Sequence, residues 1–287
     1  MHRRLPWLMS MLAGGAVLGL AVAVAPAAGA STAAPANLHA RAAAAAVAAI
    51  RHLSVGEHAT NHAVMGHAVA IKGLTQEEST NWSGYADNNS AGNTYSTVTG
   101  NWTEPTVTCS GRSESLAAFW VGIDGLTSGS VEQDGTLAEC YFGSAYYYTW
   151  WEMYPTNDIQ VVGESLRPGD SISASVVRSG SSYTLKVTDS SRSGDSFTTT
   201  QSCSSCANSS AEWIAEAPSS STGVLPLSDF HSWTLSGATV TSGSAGVISS
   251  FPDDELTMID SSGNVKAQPG PLNSSGNGFS VTWERST

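Results

Sequence analysis

Past its first third, the sequence has few basic residues and little histidine. From Leu74 to the C-terminus it holds only 7 Lys+Arg against 23 Asp+Glu, and only one histidine, His231. Such an excess of negative charge repels nucleic acid and anionic membrane surfaces, and neither is expected as a partner. One histidine is too few for a zinc centre built on imidazoles. His231 lies beside Ser232 and close to Asp229, and neighbours on a strand point to opposite faces, so the spacing does not form a Ser-His-Asp triad. Phosphate-cradling glycine loops and dinucleotide fingerprints are missing. Long helical periodicity is missing too. After about Pro26 no stretch is apolar enough to span a bilayer. Neither metal nor cofactor is implied.

The N-terminal part reads as processing sequence. His2, Arg3 and Arg4 precede an apolar run from Leu5 to about Pro26, and Ala28-Gly29-Ala30 supplies a small-residue cleavage site, so residues 1–30 are expected to be a secretory signal peptide. Residues 31–73 are Ala-rich, lack Trp and Cys, and carry five of the seven histidines. They are read as a propeptide. Those histidines charge near pH 6.5, which suggests maturation in acid with cleavage near Lys72–Glu78. The expected product is an extracellular, monomeric domain of residues 74–287, free of the membrane once the signal is removed.

Four cysteines, Cys109, Cys140, Cys203 and Cys206, lie in that domain. An even count in a secreted chain points to two disulfides. Three pairings are possible. Cys109–Cys140 with Cys203–Cys206 is favoured, the second as a tight local loop. A zinc site at Cys203-x-x-Cys206 would need two further ligands that lie far off in sequence.

Short alternating runs (116–124, 146–154, 171–177, 183–187, 211–215, 232–240, 256–260 and 279–283) are separated by Gly, Pro, Ser and Asn turns. This spacing predicts an all-β antiparallel sandwich or barrel. Alternation also sorts the side chains by face. Ala117, Phe119, Val121 and Ile123 make one apolar face, and Trp120, Gly122 and Asp124 lie opposite. Tyr146, Tyr148, Trp150, Glu152 and Tyr154 share one face, and so do Glu212, Ile214 and Glu216. Aromatic groups beside carboxylates read as a binding groove better than as a solvated surface. The chemistry left open is that of carboxylates and amides, with Gln133 nearby in Val131-Glu132-Gln133-Asp134-Gly135.

Five segments occur in order: Asn81-Trp82-Ser83-Gly84, Phe119 to Gly125, Gln133-x-Gly135, Trp150-Trp151-Glu152-Met153-Tyr154-Pro155, and Ala211 to Glu216. Together they resemble the successive motifs of the glutamic peptidase (eqolisin) family, from about Thr80 to the C-terminus. The Ala-rich leader suggests a bacterial-type member. The resemblance implies a β-sandwich of two curved antiparallel sheets, of the concanavalin A-like lectin and glucanase type. It implies an acid-acting endopeptidase on polypeptide substrates, with Gln133 and Glu212 as the catalytic pair. Trp82, Trp120, Asp124, Trp150, Glu152 and Tyr154 match positions lining the family's substrate groove, and Glu216 on the same face is the rival base. Leu137 departs from the fungal pattern, which has Asp there. Two other readings stay open: a glycoside hydrolase of the same sandwich type, with two carboxylates across a groove, and a non-catalytic carbohydrate-binding module.

Overall fold

The computed structural model describes residues 74–220 and 223–287. The expected signal peptide and propeptide fall outside the described residues. In chain order the strands are β1 (Leu74–Ser79), β2 (Trp82–Asp87), β3 (Thr97–Thr103), β4 (Ser115–Ile123), β5 (Val131–Tyr141), β6 (Ser144–Tyr154), β7 (Asn157–Gly163), β8 (Ser171–Ser179) and β9 (Ser182–Asp189). They continue as β10 (Phe197–Ser202), β11 (Ala211–Glu216), β12 (Ser219–Ser220), β13 (Gly223–Val224), β14 (Ser232–Ser242), β15 (Ser244–Gly246), β16 (Asp253–Ile259), β17 (Val265–Pro269) and β18 (Phe279–Trp283). No helix among the described residues is long and apolar enough to cross a membrane.

Hydrogen-bonded pairing runs β10-β9-β8-β3-β14-β18-β17-β16-β2-β11-β4-β5-β6-β7, with β1 beside β16 and β15 beside β14. The path doubles back on itself. β4 packs across the interior on β8 and β3, β5 on β8 and β9, and β11 on β3 and β14. The outcome is the expected antiparallel sandwich, one half ending in β10 and the other in β7, joined through β17 and β18. Almost every pairing is antiparallel, and β1 with β16 is parallel.

The interior follows the alternation. Ala117, Phe119, Val121 and Ile123 of β4 and Ala211, Trp213 and Ala215 of β11 meet Val98, Val176, Leu185, Trp233 and Leu235 of the opposite half in one core cluster. Phe119 stacks on Trp233 at 5.4 Å between ring centroids. A second apolar cluster lies on the other face of the β2–β11–β4–β5–β6 half. It holds Trp82, Trp120, Trp150, Tyr148, Ile214 and Leu256. β2, β4, β5 and β11 are therefore buried on both faces, as a strand at the centre of a layered domain must be. Both disulfides form with the favoured pairing, Cys109–Cys140 and Cys203–Cys206.

Several carboxyl groups are inside. Burial raises Asp87 to about 9, with Asp253 and Asp254 adding repulsion. Burial raises Glu104 to about 8 against the opposing Thr136 and Trp102 hydrogen bonds, and raises Glu139 to about 7. Asp134, fully buried between the sheets, is pushed well above the usual range by desolvation. These groups are neutral when folded and titrate near pH 4 when unfolded. Their folded pKa values are raised, so their stability is fully present below about pH 4 and is lost as pH rises through 7 to 9. Thermal unfolding of the mature domain from pH 3 to pH 8 is expected to show Tm falling toward neutrality. Glu104→Gln, which cannot ionise, is expected to flatten that fall; a Tm rising with pH would contradict it.

Candidate active site

Register sets the site. Glu212 of β11 pairs with Gly122 of β4, Gly122 with Gln133 of β5, and Gln133 with Glu152 of β6. On the other side Glu212 pairs with Ala86 of β2, and Ala86 with Asp254 of β16. Side chains paired across antiparallel strands share a face. One row therefore reads Asp254, Ala86, Glu212, Gly122, Gln133, Glu152, on the face away from the main core. Gln133 and Glu212 stand two strand spacings apart, roughly 10 Å at the backbone. Between them is a residue with no side chain. A Cβ at Gly122 would lie 3.2 Å from Gln133 Cβ and 2.9 Å from the Trp120 ring. Gln133 and Glu212 thus flank, on one face, a position that carries no side chain.

The next row along the strands is Leu256, Gly84, Ile214, Trp120, Gly135, Trp150. Gly135 lets β5 lie close on β4, since a Cβ there would sit 2.1 Å from the Phe119 carbonyl oxygen. Trp120 and Trp150 thus flank a glycine just as Gln133 and Glu212 do. Trp82 meets Trp120 edge to face at 5.0 Å. Tyr154 packs against the same cluster. The predicted Trp82, Trp120, Trp150, Glu152, Tyr154 and Glu216 all belong to this face.

The carboxylates differ in what holds them. Glu216 accepts the Trp120 indole N–H at 2.8 Å and an Asn81 amide N–H at 3.2 Å. Glu152 accepts the Gln133 amide N–H at 2.8 Å, which fixes that amide's orientation. Glu212 is fully buried, and neither of its oxygens makes a hydrogen bond. Burial lifts its pKa well above the usual range. The Ser210 hydroxyl opposes this, and Asp124, Glu132 and Asp87 add repulsion. Desolvation is the largest cause, and Asp124, Glu132 and Asp87 are the charged neighbours that add to it. A buried carboxyl without partners, next to an oriented amide, can take a proton from a water molecule or give one.

Asp124 departs from the alternation. Its φ of 72° turns the chain at the end of β4, and its carboxylate accepts the backbone N–H groups of Asn208 and Ser209, both at 2.7 Å. Sequence reasoning also missed Asn81, which holds Glu216, and Gly122, whose signal was its place between two polar residues on one face. A shallow polar pocket lined by Asn101, Thr103, Ser171, Thr234 and Ser236 lies elsewhere, and none of the predicted site residues lines it.

Comparison with known proteins shows the family. Residues 80–281 match the model of the peptidase A4 family. The chain belongs to that family, the glutamic peptidases. It is 30% identical over 237 residues to aspergillopepsin-2 of Aspergillus niger, covering 74% of this chain and 81% of that protein. Its fold matches scytalido-glutamic peptidase, solved with a transition state analog inhibitor, with a TM-score of 0.60 at 24% identity over 71% of this chain and 98% of that one. It also matches aspergilloglutamic peptidase from Aspergillus niger, with a TM-score of 0.52 at 30% identity over 59% and 99%. This glutamic peptidase is an endopeptidase acting on polypeptides, and the carbohydrate readings are not favoured. Gly122→Ala in the peptidase is expected to leave the fold intact and lower kcat/KM on the order of a hundredfold by displacing Gln133 and crowding the space above the glycine. Steady-state kinetics with a peptide substrate, beside a thermal melt, check this.

Proposed function

We propose that Glu212 and Gln133 are the catalytic pair, and that the peptidase is secreted, with residues 1–30 as signal and 31–73 as propeptide. The observation that carries the pair is the row in which both side chains flank Gly122, with Glu212 alone among the predicted groove carboxylates making no hydrogen bond. Glu216, the rival base, is committed to Trp120 and Asn81.

Hydrolysis of a peptide bond needs an activated water, stabilised charge on the carbonyl oxygen and a proton for the leaving nitrogen. Glu212, ionised, takes a proton from water as the water adds to the carbonyl carbon, and returns it to the amine as the C–N bond breaks. Gln133 cannot titrate. Its amide N–H stabilises the oxyanion and its amide oxygen orients the water. One such donor contributes about 3 kcal/mol to the transition state. Glu152 holds the amide in the orientation this requires, and the tryptophans supply the apolar walls of the groove.

Both side chains are fully buried in this structure. Entry of a polypeptide therefore requires the groove to open, and removal of a propeptide would supply such a step.

Glu212→Gln and Gln133→Glu are expected to reduce turnover by on the order of a thousandfold while the proteins stay folded. Substantial residual activity in purified Glu212→Gln would reject the assignment. Activity is expected to peak on the acid side of neutrality. Below the peak Glu212 holds its proton and is idle as a base; above it the buried carboxyl groups ionise and the fold loosens. Pepstatin, which suits a pair of aspartates, is expected not to inhibit. A pH–rate profile of kcat/KM with and without pepstatin measures both.

A further inference from the structure

The segment before β11 sets where Glu212 stands, and it is held mainly by one side chain. Asp124 Oδ2 accepts Asn208 N–H at 2.7 Å, and Oδ1 accepts Ser209 N–H at 2.7 Å and the Ser209 hydroxyl at 3.0 Å. In return Asp124 N–H donates to the Ser210 carbonyl at 3.0 Å. Asp124 thus clamps three successive residues, 208 to 210, and Glu212 follows two residues later. The clamp is internal, since Asp124 is fully buried. Asn208 is pinned from three further sides: Tyr183 donates to its side chain at 2.6 Å, its own amide donates to the Cys206 carbonyl at 2.7 Å, and its carbonyl accepts Tyr95 N–H at 2.9 Å.

Glu132 completes the arrangement. It is fully buried on β5, one residue from Gln133 and on the opposite face, in the row of Ile123 and Met153. Burial first, then the charge of Asp124, raise it to about 9, with Ser130 and Arg178 opposing. Neither Glu132 oxygen makes a hydrogen bond, so Glu132 bears on Asp124 as a buried neighbouring carboxyl and not as a donor.

We propose that Asp124 is a positioning residue for Glu212, through its clamp on residues 208 to 210, and that its carboxylate acts from below the groove without touching substrate. This rests on Glu212 being the proton-handling group. Asp124 also sets the charge that Glu212 feels, together with Glu132 and Asp87. Tyr95 faces Glu212 as well, Asp254 shares its row beyond Ala86, and Arg178 and Tyr183 face the carboxyl pair from the other half of the sandwich.

The test is kinetics of mature Asp124→Asn, Ser209→Ala, Glu132→Gln, Glu132→Leu and Glu212→Gln, with kcat and KM measured across pH and with thermal melts. Asp124→Asn puts an amide among N–H donors and removes the charge. Its kcat is expected to fall about tenfold or more while KM stays within about twofold. Its acid limb is expected to move to lower pH, because losing a neighbouring negative charge lowers the pKa of Glu212. Glu132→Gln and Glu132→Leu remove no hydrogen bond of the clamp and are expected to lower kcat less than Asp124→Asn does. If Asp124→Asn does not fold, Ser209→Ala decides, with a smaller fall in kcat at unchanged KM expected. A raised KM with kcat and acid limb unchanged would make Asp124 a substrate contact and overturn the proposal, as would unchanged kcat in Ser209→Ala. An active Glu212→Gln would instead overturn the catalytic assignment itself, so the two failures are distinguishable.

Discussion

β4 lies between β11 and β5, and its backbone pairing with both decides what the active face contains. With Glu212 opposite Gly122 and Gly122 opposite Gln133, the amide and the carboxyl lie in one row on the same face. A slip of one residue on either side would turn Glu212 or Gln133 into the main core. That slip is opposed by the other face of the same strands. Phe119, Val121 and Trp213 fill the interior only in the observed register, and a one-residue shift would exchange them for Trp120, Gly122 and Glu212. Packing inside the sandwich therefore fixes the chemistry outside it. Glycine at 122 and 135 adds the second requirement, the absence of side chains where the reacting groups and the tryptophans must approach.

Much of this was legible before any coordinates. Alternation in 116–124, 146–154 and 211–216 reads off the correct faces because each strand has one conventional apolar face, and the period of two then assigns the other. The strand that carries Gln133 was not read as a strand. β5 places Glu132 and Asp134 toward the main core and Glu139 on the opposite, equally buried face, so its pattern of charge mimics a solvent-exposed segment. β2 was missed because both of its faces are covered and alternation vanishes. Asp124 was misplaced by the same rule that placed Trp120 correctly. The period of two holds only while the strand continues, and a positive φ at residue 124 ends it. Short-range patterns cannot reveal a side chain committed to a segment 84 residues away.

The acidic composition has two sources. Part of it faces solvent, where protonation in acid relieves repulsion. Part of it is interior, where desolvation dominates: Asp134 and Glu212 are shifted by burial before any neighbouring charge acts. Interior acids hydrogen-bond and pack acceptably only when neutral. In acid that neutral form is available at no electrostatic penalty, whereas the same core at neutral pH would have to ionise against low dielectric or hold its protons against the solvent. The core itself therefore favours acid conditions.

Catalysis and folding draw on the same protons in opposite senses. On the proposed assignment Glu212 must lose its proton to act as a base, while burial favours the protonated forms of Asp134, Glu104 and Glu132. If all were shifted by burial alone, no pH would suit both. What separates them is access. Asp134 lies between the sheets, whereas Glu212 lies on the face away from the main core, where the proposed groove is. Water reaching Glu212 restores part of its lost solvation and brings its pKa down, and the interior acids gain nothing from the same event. If Glu212 is the base, as proposed, the pH range for activity lies between the pKa of a hydrated Glu212 and those of acids that stay dry.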